Sequence, residues 1–515
     1  MRIFDTYVQK LKYKVLTELA RQTWVGNDAF SVFNDIANQV VKKGEPTMSC
    51  CIYKDRAIVA ERIRIALGGK KEDHNVIQVI DIACDECPVA GHVVTDLCRG
   101  CVAHACVDAC KLGAITVDSH QKAEIDKSKC VECGKCAKSC PYSAIANFKR
   151  PCEKACKVDA ISMAPDGVAQ IDSEKCIECG ACVYKCPFGA TLDVSSITDI
   201  IKTIVDSDNN KNYHVHAIVA PAIAGQFQYA KAGQLISAIR ELGFYAVEEV
   251  ALGADIVAYK EAQELQEKGF LTSSCCPAFV KYIKMKFPQL AEHISHNLSP
   301  MAETGKLIKE QDPDAKIVFI GPCTAKKGEV RKPEVHQYVD YVMTFEELQA
   351  MIDSKDIAVD QLPETELDTA TYYGRVFART GGLSEAVTEA VREQKAAAEA
   401  AKVDAPDGAG ASGAVASGEA GASGKPANGD GACDGDSADS KPFVFDPIVC
   451  DGIDSCKTAL LRASKGLLPN NFIEGMVCTD GCIGGAACLS HGNADKRAID
   501  NYGKKATHKE IREVL

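Results

Sequence analysis

Apolar side chains return at helical spacing near the start of the chain. Leu11, Val15, Leu16 and Leu19 fall on one face of a 3.6-residue repeat, so residues 1–80 are expected to be mostly helical. No recognisable chemistry accompanies that face, and Cys50 and Cys51, which have no CxxC partner, are expected to be buried structural thiols. Between Cys84 and Cys186 the pattern breaks into short loops and lone Ala-Ile pairs. After about residue 196 it becomes α/β. Runs at 214–222 and 317–320 read as strands, the stretch 234–242 reads as a helix, and Thr344 with Glu347 makes a capping box opening a helix through Met351. Residues 394–442 turn to Ala, Gly, Ser and Asp, too poor in large apolar side chains to offset ordering entropy, and are expected to be disordered. Ordered sequence resumes at Phe443, so that tract is expected to interrupt one domain. Four parts result: a helical segment 1–80, a cysteine-rich region 81–195, an α/β domain made of 196–393 and 443–515, and the insertion 394–442.

A chain of 515 residues with 46% apolar content can bury ample cores without covalent staples, so its 27 cysteines need another reason. Metal ligation in a reducing compartment supplies one. The opening Met1-Arg2-Ile3-Phe4-Asp5 has no apolar leader and no twin-arginine pair occurs, which predicts a cytoplasmic location. The longest apolar run, 217–225, contains Pro221 and is far short of the roughly 20 residues that span a bilayer, so no membrane role is expected. A formal net charge of −12 argues against nucleic acid as a partner.

Cys130, Cys133, Cys136 and Cys140, followed by Pro141, have the bacterial ferredoxin spacing, in which three thiolates hold one cubane and the fourth reaches a second. Cys176, Cys179, Cys182 and Cys186, followed by Pro187, repeat it 46 residues later, and the same offset carries Cys106 onto Cys152 and Cys110 onto Cys156. This is an internal duplication. In the first copy, Cys98, Cys101 and Cys106 with Cys140 make one 4Fe-4S set, and Cys130, Cys133 and Cys136 with Cys110 make another. In the second, Cys176, Cys179 and Cys182 with Cys156 make a third. The remaining half-site is incomplete, because the offset carries Cys98 and Cys101 onto Ala144 and Asn147. Cys152 and Cys186 are then either inert thiols or partners of the spare upstream pair, Cys84 and Cys87, in a fourth set. Zinc also accepts four thiolates, but paired runs with a crossed fourth ligand suit neighbouring cubanes. A row of cubanes carries electrons, which implies a redox reaction elsewhere and an external carrier.

Three cysteine segments of the α/β region lack CxxC spacing: 272–279 (TSSCCPAF), 321–329 (GPCTAKKGE) and 472–485 (FIEGMVCTDGCIGG). Each is punctuated by Gly or Pro and flanked by apolar residues, as expected where strand ends converge on a buried inorganic centre. In order and length they resemble the three signature segments of the FeFe hydrogenase family, over roughly residues 214–515. The resemblance implies an α/β catalytic domain holding the active-site H-cluster between two lobes, preceded by α+β ferredoxin-like 4Fe-4S domains. In that family the H-cluster is a 4Fe-4S cubane joined through one cysteine sulphur to a two-iron unit bearing CO, cyanide and a bridging dithiolate.

Carried onto this chain, the resemblance implies Cys276, Cys323, Cys478 and Cys482 as cubane ligands, with Cys482 the bridging sulphur. It makes Cys275 the thiol that passes protons to the dithiolate amine and Lys326 a hydrogen-bond donor to a cyanide. Ala220-Pro221-Ala222 resembles a strand-end loop whose backbone meets a cyanide, and Met476 resembles a methionine packed beside the two-iron unit. Protons need a chain of titratable groups, because a cubane carries only electrons. Ser295 falls on the family's relay serine by gap-free counting from Cys276, and Glu261-Ala262-Gln263-Glu264 resembles the helix that supplies two relay glutamates. Plainer readings of the same residues are a surface lysine, a core methionine and solvated helix carboxylates.

The chain departs from the better-known pattern at Phe279, where tryptophan is usual, at Gly321, where methionine is usual, at Asp480 in a Gly-Gly position, and at Ala486-Ala487-Cys488 in place of a glycine-rich end. With no plant-type 2Fe-2S domain, these features resemble the group B branch. Cys450, Cys456 and Cys488 are expected to be structural and Cys433 unliganded. The implied activity is the reversible reduction of protons to H2, with three or four accessory 4Fe-4S clusters passing electrons from a ferredoxin or flavodoxin-like carrier and maturation proteins supplying the H-cluster. Two other classes compete. An H2 sensor would carry a signalling module, and none is readable. A hydrogenase-like iron–sulphur assembly protein has no two-iron unit and so no evident use for Cys275 and Lys326, both present here.

Overall fold

A computed structural model of the chain describes residues 4–27, 31–44, 51–70, 73–85, 87–88, 90–403 and 443–515. The α/β part is built on two parallel sheets. One has the strand order Ala246–Glu249, Val215–Val219, Lys316–Gly321, Tyr341–Thr344. Val215–Val219 lies inside it and is buried along its whole length, which is why it reads as an apolar run interrupted only by His216. Val215, Ala217 and Val219 join the core with helices Ala232–Glu241 and Phe345–Ser354, while Ile218 faces the helix Pro300–Gln311. The expected run 214–222 is shorter than its apolar pattern. Ala220 N–H still bonds Ile320 O at 2.9 Å, but Pro221 has no N–H with which to continue the ladder. The capping box forms as expected, with Glu347 N–H on Thr344 Oγ1 at 3.3 Å and Thr344 N–H on Glu347 Oε2 at 2.6 Å, and its helix runs to Ser354.

The second sheet orders Leu271–Thr272, Phe472–Met476 and Pro447–Asp451. Beside it the helix Gly382–Val403 packs Leu383, Ala386, Val387, Ala390 and Val391 against Ala254, Ala258, Ala262 and Leu265 of the helix Val250–Lys268. Residues 394–403, expected to be disordered, therefore continue a helix. Ala, Glu and Lys are strong helix formers, and Gln394 Nε2 donates to Tyr259 O at 2.8 Å. The rest of the tract, 404–442, lies outside the described residues, as do Cys433 and Cys50.

The ferredoxin-like region shows its duplication as a repeated unit. The hairpin Ile115–Val117 with Ala123–Ile125 recurs as Ile161–Met163 with Ala169–Ile171, and the helix Lys135–Ser139 recurs as Ala181–Lys185, each 46 residues on. The amino-terminal segment is mostly helical and docks on the rest. Leu11, Val15, Leu16 and Leu19 of helix Tyr7–Trp24 are buried, the last three in one core with helix Phe345–Ser354. Two buried ammonium groups then meet three carboxylates: Lys12 Nζ lies 2.5 Å from Asp193 and 2.6 Å from Glu346, and Lys327 Nζ lies 2.8 Å from both Asp193 and Glu347. Every charge in the group is paired, the condition under which burying ions is tolerable. The strand Ile77–Val79, within the segment expected to be helical, pairs with Thr191–Asp193. Cys51 departs from expectation: it sits at the N-cap of helix Ile52–Ala66, off the apolar face, and is exposed. Among the described residues no helix is long and apolar enough to cross a membrane.

Candidate iron–sulphur and proton-transfer site

The structure brings the duplicated cysteines close to one another. Burial raises the Cys106 thiol, with Cys140 and Cys101 adding to it, and burial raises Cys136 with Cys130 and Cys133 beside it. Cys110 packs in the same core. In the second copy, burial and the thiols of Cys176 and Cys156 push Cys179 up to about 11. The half-site cysteines also gather. Burial together with Cys186, Cys84 and Cys87 pushes Cys152 up to about 11, so the two unpaired thiols and the spare CxxC share one place. One local bond recurs at four cysteines: the N–H of the alanine four residues on donates to Sγ, from Ala114 to Cys110, Ala144 to Cys140, Ala160 to Cys156 and Ala190 to Cys186, at 3.2–3.4 Å. Cys186 has this bond like the other three, and Cys84 accepts from Ala169 N–H at 3.4 Å and from Arg150 Nη1 at 3.6 Å. Cys84 and Cys186 thus both accept backbone hydrogen bonds at sulphur.

The second site lies where parallel strands end, the edge at which α/β folds bind ligands. Leu271–Thr272 runs into Cys275 and Cys276, Lys316–Gly321 into Cys323, Phe472–Met476 into Cys478 and Cys482, and Val215–Val219 into Ala220-Pro221-Ala222. Burial, reinforced by Cys276 and Cys482, pushes Cys323 up to about 12, with Lys326 pulling the other way. Burial also carries Cys478 well above its ordinary range, with Cys323, Cys276, Cys179 and Cys482 all adding to the effect. Cys482 rises to about 11 through burial and Cys276. Thiols gathered this closely, with Cys323, Cys478 and Cys482 held above their ordinary range, need added positive charge to become ligands. A 4Fe-4S cubane supplies it and takes four cysteines, so the donor set fits. Cys179 stands next to Cys276 and Cys478, so the third ferredoxin-type set borders this site, and Cys182 of that set stands next to Cys152 of the fourth.

Cys275 is buried and held well above its ordinary range, first by burial and then by Glu261, Cys276 and Cys482, which keeps it a protonated thiol. Lys326 is 7% exposed, so it is no surface lysine. Its Nζ donates to Cys275 O at 3.3 Å and lies 2.6 Å from Glu329 Oε2. Burial works against the ammonium, but Glu329 and the thiols of Cys323 and Cys275 outweigh it and keep the charge. Met476 is buried with Cys275 and Phe377. Cys450, Cys456 and Cys488 are fully buried. The sequence departures have steric counterparts. Phe279 fills the space over Gly475, where a Cβ would stand 2.1 Å from the ring, and a Cβ on Gly321 would stand 2.6 Å from Phe319. Asp480 adopts φ of 66°, the left-handed conformation that favours glycine, and its N–H bonds Asp451 Oδ1 at 2.7 Å.

From Cys275 a file of polar groups leads outward. Glu261 is fully buried; burial pushes its carboxyl up to about 7 against the pull of Ser295 and the Ser274 N–H. Its Oε1 accepts from Ser274 N–H at 3.3 Å, and its buried Oε2 has no hydrogen-bond partner among the described residues. Asn297 Nδ2 bridges Ser295 Oγ at 3.1 Å and Glu264 Oε2 at 2.9 Å. Glu264 is bonded in turn to exposed His296 at 2.6 Å and to Lys268 at 2.7 Å. Burial opposes its ionisation, but the Lys268 and His296 hydrogen bonds win and hold it below its usual range. Neither glutamate is a freely solvated helix carboxylate. Sequence reasoning missed Asn297, His296 and Lys268. The polar pair His296-Asn297 directly after Ser295 was the available signal.

Residues 213–486 match the family described as "Iron only hydrogenase large subunit, C-terminal domain", and residues 97–144 and 150–190 match "4Fe-4S dicluster domain". The chain belongs to the iron-only hydrogenase large-subunit family. Among its relatives in that family, Iron hydrogenase 1 of Clostridium pasteurianum is 30% identical over 56% of this chain and 54% of its own length. The Periplasmic Fe hydrogenase large subunit of Nitratidesulfovibrio vulgaris is 29% identical over 49% of this chain and 61% of its own. This chain thus spans little more than half the length of these curated relatives. The Cytosolic Fe-S cluster assembly factor NAR1 of Kluyveromyces lactis is 37% identical over 18% of this chain and 20% of its own. The solved FeFe hydrogenase HydA1 of Chlamydomonas reinhardtii gives a TM-score of 0.46 at 20% identity, over 62% of this chain and 92% of that one.

Proposed function

We propose that this chain catalyses the reversible reduction of protons to H2 at an H-cluster held by Cys276, Cys323, Cys478 and Cys482. The observation that carries the reading is the file His296, Glu264, Asn297, Ser295, Glu261, Cys275, which ends beside those four thiols. A site that only holds or passes electrons has no use for a proton path. When bound, the H-cluster supplies the exchange of electrons with protons. The chain's residues do the rest: Glu264 and His296 meet protons at the surface, Asn297 donates to both Glu264 and Ser295 and so holds that pair in line, and Glu261 passes protons to Cys275. Glu261 suits the task because its carboxyl lies near neutrality, where proton transfer in either direction is cheapest. Lys326 places a fixed ammonium at the buried centre, where a cyanide ligand would need it.

Electrons reach the site through the third ferredoxin-type set, whose Cys179 borders Cys276 and Cys478, and through the three other sets, from a ferredoxin or flavodoxin-like carrier. Maturation proteins would supply the two-iron unit, and the abundance of cysteine suits the reducing cytoplasm. The NAR1 relatives bring a second reading, an assembly protein with a cubane alone. Cys275 and Lys326 speak against it, being buried beside the four thiols with partners that keep one protonated and the other charged. The test is infrared spectroscopy of the anaerobic, matured chain. CO and cyanide stretching bands together with H2 evolution from a reduced viologen support the reading, and an iron-loaded chain with neither band nor H2 evolution overturns it.

A further inference from the structure

At the opposite edge of the larger sheet from the cysteine site, side chains around the start of strand Val215–Val219 form a cluster that the proposed activity does not use. His214 and His216 are two positions apart on an extended segment and so present the same face. Asp312 follows helix Pro300–Gln311 and meets them there. His214 Nδ1 lies 2.7 Å from Asp312 Oδ2, and His216 Nε2 lies 4.0 Å from the same oxygen. The ligand atoms offered by the three residues all lie within 4.8 Å of one another.

The decisive atom is His216 Nε2. His216 is 7% exposed, and its Nδ1 is engaged by Glu248 Oε1 at 2.8 Å. Its Nε2 is buried with no hydrogen-bond partner among the described residues. A buried imidazole nitrogen left unpaired is costly and calls for a partner. A carboxylate on Nδ1 is the arrangement that holds a ligating histidine in the tautomer whose free Nε2 lone pair points at a metal. Tyr245 stacks on the His214 ring with centroids 3.8 Å apart and fixes its plane.

We propose that His214, His216 and Asp312 bind one divalent transition-metal ion of the zinc type. Two imidazoles and a carboxylate suit zinc, cobalt or nickel and do not suit magnesium or calcium, which prefer an all-oxygen set. Ligand atoms on a tetrahedral ion with bonds near 2.1 Å stand about 3.4 Å apart, so closing the group takes side-chain shifts of about 1 Å. His214 and Asp312 are half-buried, so the cluster is not sealed from solvent. The site lies roughly 13 Å from Ala220, four residues along the strand, so its occupant would tie the sheet edge to the turn at Asp312 and take no part in turnover.

The experiment uses the full chain with its clusters loaded and zinc as the probe. Equilibrium dialysis with elemental analysis counts bound zinc, and zinc-edge X-ray absorption identifies its ligands. We expect one zinc per chain, bound in the micromolar range or tighter, with a nitrogen/oxygen first shell containing imidazole. His214→Ala and Asp312→Asn should each weaken it at least tenfold while iron content and H2 evolution stay unchanged. His216→Ala should do the same, and if that buried substitution lowers iron content, the two half-buried positions decide. A sulphur first shell, affinity unchanged in His214→Ala and Asp312→Asn, or no binding up to millimolar zinc overturns the proposal.

Discussion

Thr324 donates its hydroxyl to the main-chain carbonyl of Glu178 at 2.7 Å, joining the loop between Cys176 and Cys179 to the segment that carries Cys323. The approach is close on both sides. A Cβ on Gly180 would stand 2.6 Å from Thr324 Oγ1 and 2.7 Å from the Ala486 Cβ, and Gly180 has φ of 72°. Thr324→Ala should therefore cost about 1 kcal/mol, the worth of one hydrogen bond. Gly180→Ala adds left-handed strain and overpacking and should cost about 1–3 kcal/mol. Because the same contact sets the spacing between Cys179 and the four-thiol site, Gly180→Ala should slow H2 evolution driven by a reduced carrier protein more than that driven by a small viologen. Equal slowing with both donors would argue against this contact as the electron entry.

Cys275 and Cys276 are chain neighbours with different expected tasks. Cys275→Ala should keep the CO and cyanide infrared bands while losing at least about a hundredfold in turnover, in line with general acid–base contributions. Cys276→Ala should lose bands and activity together, and Cys275→Asp should regain part of the turnover, since a carboxyl can also shuttle protons. Near-normal H2 evolution by Cys275→Ala would show that protons enter by another route.

Glu261 should leave a mark on stability as well as on rate. Its folded carboxyl is raised to about 7 from an ordinary 4.5, so the folded state holds a proton that the unfolded chain has released. The stabilisation is full below about 4.5 and is lost as the pH rises through 7, a change on the order of 3 kcal/mol. Glu261→Gln should flatten that loss in unfolding measured across this range and lower turnover by about a hundredfold. Asp255, raised to about 7 by burial, leaves a residual slope of the same sign. An unaltered slope in Glu261→Gln would place the proton elsewhere.

The fourth ferredoxin-type set is open to direct counting. Five cubanes before two-iron insertion give about 20 iron atoms per chain, and replacing Cys84 and Cys87 together with Ser should reduce this to about 16. About 16 iron atoms in the unmodified chain, with no further loss on replacing Cys84 and Cys87, would return Cys152 and Cys186 to the status of inert thiols.

The legible parts of the site are those that local geometry dictates. A cubane imposes the spacing of Cys130, Cys133 and Cys136, and a parallel strand buried on both faces imposes the apolar run at Val215–Val219, so both could be read from the chain alone. Asn297 could not, because its role comes from meeting Glu264 across 33 residues of sequence. The same holds for Thr324 and Glu178, separated by 146. Arg150 is a third case: it reaches the Cys84 sulphur only in the folded state. Composition misled at residues 394–403, where alanine-rich sequence is also good helix sequence once helix Val250–Lys268 offers a face.

The docking of helix Tyr7–Trp24 has a consequence for how the protein is made. Gln9 Nε2 donates to Cys488 O, and Asp5 N–H to Leu489 O, 479 residues or more downstream. At about 5–20 residues per second a ribosome needs roughly 25 to 95 seconds to travel from one partner to the other. For most of that interval the helix has an apolar stripe and a lysine, Lys12, whose partner Glu346 follows 334 residues later. The ferredoxin-like region emerges early in the same interval. Its thiols are thus on hand for iron while the chain is still being lengthened, and the amino-terminal helix can complete its contacts with Cys488 and Leu489 only after that whole stretch has been made.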